Sequence, residues 1–464
     1  MNEKNAPAKI LVFVALLSAI FLLHPPQAYA FPWGKDEKKQ VYDCPDLEQK
    51  SRSSGYGEIF QGYDGWFFKH NDFDENFTLS TQTQHDLKIF NQALADKGVT
   101  LVIVSALLPK PVMAYKFVKP AERELFVYDK ARTLRGYRGL TEQIRELGIV
   151  SPDISKSLEK YNDDSAEELV YKIDLHWTPE GAHLAAAAVA EELKKLPVYE
   201  SLNKAVFSVQ KSGTKEYVSN THDHLRKMCK SKIPPEKMNI YSFTREDDES
   251  ESAESLFGDS APPPVALIGS SFSTVGNSAL QKFIEKEASV EVENHAIPGG
   301  KLFTAFISYL NSDGFQQQKP PVIVWETAPR YDLNEDNPIY FRQLIPAISG
   351  ECTGEKVIEQ TKVTLDKETD KVALLSVLEN KKISGPDYYL YIQADNRVFN
   401  RFRLDFEYDD GDGEFFTIDH GGRYKNSGRF FVEFSEDIES PLSSITLENR
   451  DDVKTNLSVK LCRK

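Results

Sequence analysis

Cysteine is scarce in this chain: Cys44, Cys229, Cys352 and Cys462 are the four present in 464 residues. Zinc sites built on cysteine bring their ligands in close pairs, and no such pair exists here, so no metal or cofactor is expected. Net positive charge is also lacking, the formal balance being −15 at pH 7. That excludes a nucleic-acid partner and makes any hold on an acidic polymer depend on local basic clusters. Long apolar runs are missing as well. The one candidate, residues 10–23, falls short of the about 20 residues that a bilayer span requires and is followed by Pro25 and Pro26. No internal repeat is visible.

What is present begins with Lys4 and Lys9, the apolar stretch, and then Ala28-Tyr29-Ala30, the layout of a cleavable signal peptide over residues 1–30. An exported chain meets an oxidising compartment, where an even number of cysteines forms bridges. Three pairings are open. Joining Cys44 to Cys229 and Cys352 to Cys462 keeps each bridge inside one of the two domains proposed next.

Residues 31–348 read as an α/β layer domain with a mostly parallel sheet. Runs 101–104, 265–268 and 322–325 are short, apolar and β-branched, as fully buried strands are. Residues 181–196 have the Ala and Leu content of a helix packed on a sheet. The acidic stretch 246–255 reads as a solvated loop. After Gly350 the pattern changes to period-two alternation at 388–392, 402–406 and 429–434 with Gly- and Asp-rich turns, so residues 349–464 read as an all-β antiparallel sandwich or barrel.

Strand 265–268 runs straight into Gly269-Ser270-Ser271-Phe272-Ser273, which puts hydroxyls on a tight turn at the carboxyl end of a parallel strand, where open α/β sheets hold their reacting groups. A second element is Asp174-Leu175-His176-Trp177-Thr178-Pro179. Thr178 suits a helix N-cap and Pro179 the first helical position, so Asp174 and His176 precede the helix in a loop or strand end. In extended chain, residues two apart share a side, which lets the carboxylate meet the near ring nitrogen. Ser271 as nucleophile, His176 as general base and Asp174 as orienting group then form a triad. Gly258-Asp259-Ser260 spells a hydrolase signature, but Pro262, Pro263 and Pro264 follow it and no strand leads into it, so it reads as loop.

The turn at Gly269–Ser273, the Asp174-x-His176-Trp177-Thr178-x-x-Gly181 segment and the early Gly62-Tyr63-Asp64-Gly65-Trp66-Phe67-Phe68 resemble the AlgX/AlgJ family of SGNH-like exopolysaccharide acetyltransferases. The resemblance covers nearly the whole mature chain. It is nearer to the members with a C-terminal β module than to the membrane-anchored members that lack one. It implies an SGNH-hydrolase-like three-layer domain and, at 349–464, a β-sandwich carbohydrate-binding module. It also implies a periplasmic enzyme that transfers acetyl through Ser271 to mannuronate hydroxyls of alginate or a related acidic polysaccharide. An acetyl supply from a membrane O-acyltransferase and contact with outer-membrane export proteins follow from the same resemblance. The amides of Ser271 and of the Gly299-Gly300 turn are candidate oxyanion donors. The Asn of the hydrolases' third block is missing where strand 322–325 runs into Glu326-Thr327.

In the β domain, Arg397, Arg401, Arg403, Arg423, Lys425 and Arg429 interleave with Phe402, Tyr408, Phe416 and Tyr424. Guanidinium forks suit uronate carboxylates, and aromatic faces suit sugar rings. Arg330, Tyr331 and Lys110 are candidates to extend that track, with solvated surface charge as the alternative. Two other functions fit the same residues, a polysaccharide O-acetyl esterase and a polymer-binding scaffold of an export complex.

Overall fold

The structure, a computed structural model, describes residues 39–105, 108–246, 263–274, 279–328, 330–335, 337–366, 371–376 and 383–464. The 1–30 leader, nearly all of the acidic stretch and Gly258-Asp259-Ser260 lie outside the described residues. Residues 39–464 form one compact unit.

The chain enters through a small hairpin, β1 (Ile59–Gln61) and β2 (Phe67–Lys69), and helix α1 (Thr81–Ala95), which Ser80 caps by accepting the Thr83 amide. Leu87, Phe90 and Leu94 give α1 one buried stripe at helical spacing. Strand β3 (Thr100–Ser105) follows, then helices α2 (Lys130–Glu146) and α3 (Pro179–Leu193). An exposed hairpin, β4 (Phe207–Tyr217) and β5 (Glu236–Arg245), brackets α4 (Asn220–Met228). The layer closes with β6 (Val265–Ile268), α5 (Leu280–Ala288), β7 (Val292–Asn294), α6 (Thr304–Leu310), β8 (Val322–Thr327) and α7 (Asn337–Ser349).

Strands β3, β8, β6 and β7 lie in that order in one parallel sheet. Their near-continuous apolar sequence has a direct cause: both faces are covered. Leu101, Ile103, Ala266, Ile268, Ile323 and Trp325 pack on one side with residues of α1, α6 and α7. Val102, Val104, Val265, Leu267, Val322 and Val324 pack on the other with residues of α3 and α5. The result is the three-layer arrangement that the sequence suggested.

Beyond Ser349 come β9 (Val357–Leu365), β10 (Lys371–Ser376), β11 (Tyr388–Ala394), β12 (Arg401–Tyr408), β13 (Gly413–Asp419), β14 (Arg429–Glu433), β15 (Leu442–Asn449) and β16 (Thr455–Arg463). They pair antiparallel as β10-β15-β12-β13 and β14-β11-β16-β9, the two sheets of a sandwich. Alternation drives the burial: Phe402, Leu404, Phe406 and Tyr408 point inward along β12 while Arg401 and Glu407 stay exposed. The sandwich interior is continuous with the α1/α6/α7 side of the parallel sheet in a single apolar cluster. Arg342 on α7 adds a two-pronged bond to Glu414, both N–H···O distances 2.9 Å, and donates from Nε to the Glu433 carbonyl at 2.8 Å.

Cys44 is bonded to Cys229, and Cys352 to Cys462. The second bridge ties the entry of the sandwich to its last strand across a separation of 110 residues. Replacing Cys352 and Cys462 by Ser is expected to lower stability by roughly 2 to 5 kcal/mol, chiefly by freeing the unfolded chain. Urea unfolding of the two proteins checks this through the midpoint.

Candidate active site

Strand β6 ends at Ile268, and the next residues turn at once into a single 3-10 turn, Ser271–Ser273. Ser270 caps that turn, its hydroxyl accepting the Phe272 amide at 3.3 Å. A glycine precedes it because nothing larger fits: a Cβ on Gly269 would stand 2.5 Å from Ser273 Oγ and 2.6 Å from Glu326 Oε2. Two further side chains hold the turn from outside. Trp177 Nε1 donates to the Phe272 carbonyl at 2.9 Å, and Asn294 Nδ2, at the end of β7, donates to the Ser273 carbonyl at 2.7 Å.

The histidine arrives on the loop before α3. Thr178 caps that helix by accepting the Gly181 amide, with Pro179 in its first turn. Residues 172–176 bend rather than extend, and an antiparallel bridge between Val170 and Trp177 closes the loop. Asp174 and His176 therefore meet through the curl of this loop and not through a strand's alternation. His176 Nδ1 donates to Asp174 Oδ2 at 2.6 Å, and Ser271 Oγ donates to His176 Nε2 at 2.7 Å, a tautomer assigned from the partners.

Two residues absent from the sequence reading build this loop. Tyr217, at the end of β4, donates from its hydroxyl to Asp174 Oδ2 at 2.7 Å. Its cross-strand partner Glu236 accepts the Lys172 and Ile173 amides at 2.6 and 3.3 Å. Lys110 Nζ donates to the carbonyls of Lys172 and Asp174 at 2.8 and 3.0 Å. Lys110 is therefore buried, not the solvated charge or polymer contact expected of it, and burial pushes its ammonium below the usual lysine range. For Asp174 burial acts to raise the carboxyl, but the His176 and Tyr217 bonds, the His176 charge and the Leu175 amide outweigh it and hold the group well below the usual carboxylate range. Glu326, which the sequence reading named without giving it a role, is buried beneath the Ser271 turn, where burial pushes its carboxyl up. Tyr217 and Glu236 carry no local motif; a lone acid ending the apolar run 322–325 was the available signal for Glu326.

Close to Asp174, His176 and Ser271, though lined by none of them, lies a small cleft of about 30 Å³ among Asn71, Asp72, Leu175, Phe272 and Arg330. It adjoins a second cavity of about 330 Å³, lined by Lys301, Tyr331 and Tyr340, with Asn71, Asp74 and Arg330 common to both. Arg330 and Tyr331 thus stand together where the two meet, the guanidinium 5.7 Å from the ring centre.

The other candidates separate. The Gly300 amide donates to the Ile297 carbonyl at 3.1 Å, which uses it inside the turn and removes it as an oxyanion donor. Gly299 lies against the guanidinium of Arg423, which donates to the Pro298 carbonyl at 2.7 Å. Arg397 and Lys425 line a cavity of about 260 Å³ with His295, Tyr309 and Asp313, between the parallel-sheet layer and the sandwich. Arg401 faces Asp419 at 3.7 Å, and Arg403 bonds Asp405 at 2.5 Å while covering the exposed ring of Phe415. Arg429 is paired with Asp313 at 2.6 Å. Phe402, Tyr408 and Phe416 are buried at inward positions of the sandwich strands, and Tyr424 is buried in the loop before β14, where its hydroxyl accepts from Asn311 Nδ2 at 2.9 Å, so none offers a face to a sugar.

The sequence pattern of an SGNH hydrolase-like domain, acetyltransferase AlgX, matches residues 59–329, more than half of the chain. The chain belongs to the AlgX family. An alginate biosynthesis protein AlgX from Pseudomonas syringae pv. tomato is 28% identical over 400 residues, covering 85% of this chain and 81% of that one. One from Azotobacter vinelandii is 31% identical over 329 residues, 69% of this chain and 64% of its own length. A probable alginate O-acetylase AlgJ from Pseudomonas putida is 25% identical over 309 residues, 64% of this chain and 77% of that one. The solved structure of Pseudomonas aeruginosa AlgX superposes with a TM-score of 0.78 at 22% identity, covering 91% of this chain and 99% of that one, and shows the same fold. The AlgX-type domain explains the acetyltransferase-like SGNH architecture, and the described residues contain no helix long and apolar enough to cross a membrane.

Asp174 supplies a test of the loop's electrostatics. A carboxyl held below its unfolded value of about 3.9 contributes stability that is fully present above that pH and lost as pH falls through the folded value. Asp174→Asn is expected to flatten the acid arm of the stability curve between about pH 5 and pH 2. Tyr217→Phe, one donor fewer, is expected to raise the folded value, so that the loss ends at higher pH and is smaller in total. Urea midpoints across the acid range measure both.

Proposed function

We propose that this chain is a periplasmic O-acetyltransferase that carries acetyl on Ser271 to mannuronate hydroxyls of alginate or a closely related polyuronate. The observation that supports it is the continuous chain Asp174–His176–Ser271, with bonds of 2.6 and 2.7 Å, beside a cleft that runs on into a second cavity. In the first half-reaction His176 Nε2 takes the Ser271 proton as Oγ attacks the acetyl carbonyl of the donor. The tetrahedral intermediate expels the donor's leaving group, which takes that proton, and leaves an acetyl ester on Oγ. In the second, a sugar hydroxyl gives its proton to His176 and attacks the ester carbonyl; Ser271 leaves with the proton returned to its oxygen. Asp174 stabilises the imidazolium in both. The Ser271 amide serves as an oxyanion donor.

Transfer to sugar needs the acceptor to reach the acyl-enzyme, and the adjoining cavity has room for a sugar ring, with Arg330 and Lys301 set among the carboxylates of Asp74, Asp332 and Glu335. The names of the relatives point to alginate as that polymer. In this reading residues 31–348 are catalytic and 349–464 form a carbohydrate-binding module, with Arg397, Arg401, Arg403, Arg423 and Lys425 toward the polymer. Acetyl arrives from a membrane O-acyltransferase, the product leaves through outer-membrane export proteins, and cleavage of the leader delivers the chain to that compartment.

Intact-mass analysis of the protein incubated with an activated acetyl ester and mannuronate oligomers tests this. Wild type is expected to yield acetylated oligomers, and Ser271→Ala and His176→Ala to lose about 10³-fold or more of the rate. Free acetate without acetylated sugar would make the chain an esterase, and product independent of Ser271 would leave it a scaffold.

A further inference from the structure

The nucleophile turn is gripped from below by a single buried carboxylate. β8 runs two residues past the end of β6, Trp325 lying beside Ile268, so Glu326 and Thr327 continue alongside Gly269 and Ser270. Glu326 is 2% exposed. Its Oε2 accepts the Ser270 amide at 2.7 Å, the Ser270 hydroxyl at 3.0 Å and the Ser273 hydroxyl at 2.9 Å. Its Oε1 takes a longer approach from the Ser270 hydroxyl at 3.2 Å. The residues gripped are those on either side of Ser271–Phe272, while Ser271 Oγ itself is left to His176. The geometry also accounts for Gly269, since any side chain there would collide with Glu326 Oε2.

A buried carboxylate is expensive unless its lone pairs are filled, so a site that retains one without an ion-pair partner has a use for its acceptors. Here the donors come from two residues of one five-residue turn. A cap by Ser270 alone would fix one end of the 3-10 turn; the shared oxygen fixes both ends to β8, an interior strand of the sheet. We infer that Glu326 is a positioning residue that sets the angle at which Ser271 Oγ meets His176, by tying both flanks of the nucleophile turn to one oxygen. Its bonds go to the turn and not to the substrate side. This rests on Ser271 being the nucleophile.

Misplacing a reacting group by an ångström lowers rate by about 10²-fold without changing how substrate binds. With p-nitrophenyl acetate as the probe, Glu326→Ala is therefore expected to acetylate Ser271 with kcat about 100-fold down and KM unchanged. Glu326→Gln places an amide oxygen at the Oε2 position, where it accepts the same three donors, and is expected to recover to within about 10-fold of wild type. Ser273→Ala removes one donor with little change of volume and is expected to lose several-fold in kcat; it decides the matter if Glu326→Ala does not fold. Wild-type kcat in Glu326→Ala, or in Ser273→Ala when the former is unfolded, overturns the positioning role. So does a Gln variant no better than the Ala variant. Ser271→Ala is run alongside: if it reacts like wild type, the nucleophile reading has failed, whereas an inert Ser271→Ala with an unimpaired Glu326→Ala removes the positioning role alone.

Discussion

The site depends on keeping the charge of Asp174 inside a six-residue loop away from water. Burial of a lone carboxylate is strongly unfavourable, and here its Oδ2 collects donors from His176 and Tyr217 while the loop carbonyls are held by the Lys110 ammonium. The loop's amides in turn are held by Glu236. Lys110 and Glu236 thus act on the same short backbone, one on its carbonyls and the other on its amides, which fixes the loop through its main chain.

That arrangement gives the exposed β4–β5 hairpin a purpose. Most of its side chains face solvent, and it contributes little to the core. The end that leads into the α4 segment, however, presents Tyr217 and Glu236 as a cross-strand pair, so the hairpin reaches the Asp174 loop from outside the sheet. The Cys44–Cys229 bridge anchors the segment between the two strands to the start of the described chain. On the other side of the sheet the apolar cluster runs without a break into the sandwich, and the Arg342 fork on Glu414 orients that junction. The sandwich is thereby held against the parallel-sheet layer.

Much of the fold was legible. The three central strands were apparent as apolar β-branched runs because both faces of a parallel sheet are covered, and the structure extends each by two residues at most. The change to alternation after Gly350 marked the sandwich, because an antiparallel sheet with one wet face must alternate. The Thr178-Pro179 helix start was equally plain, since capping is decided within four residues. Less was legible where side-chain direction matters. Phe402, Tyr408 and Phe416 were candidate sugar platforms until their register turned them inward, Tyr424 until its loop folded against Asn311, and Lys110 looked like surface until a loop 62 residues on in the chain closed over it.

Sequence alone therefore determined the elements, the serine turn at a strand end, and the closeness of Asp174 to His176, all of which are set by neighbours along the chain. Tertiary structure decided everything that needs two distant segments: that His176 meets Ser271 across 95 residues, that Tyr217 and Glu236 arrive from a hairpin, and that Glu326 lies under the turn it ties. The reason is physical. Periodicity and capping are local and leave a trace in composition, whereas a hydrogen bond between remote residues asks only for one donor and one acceptor, and any of many polar residues could have supplied them.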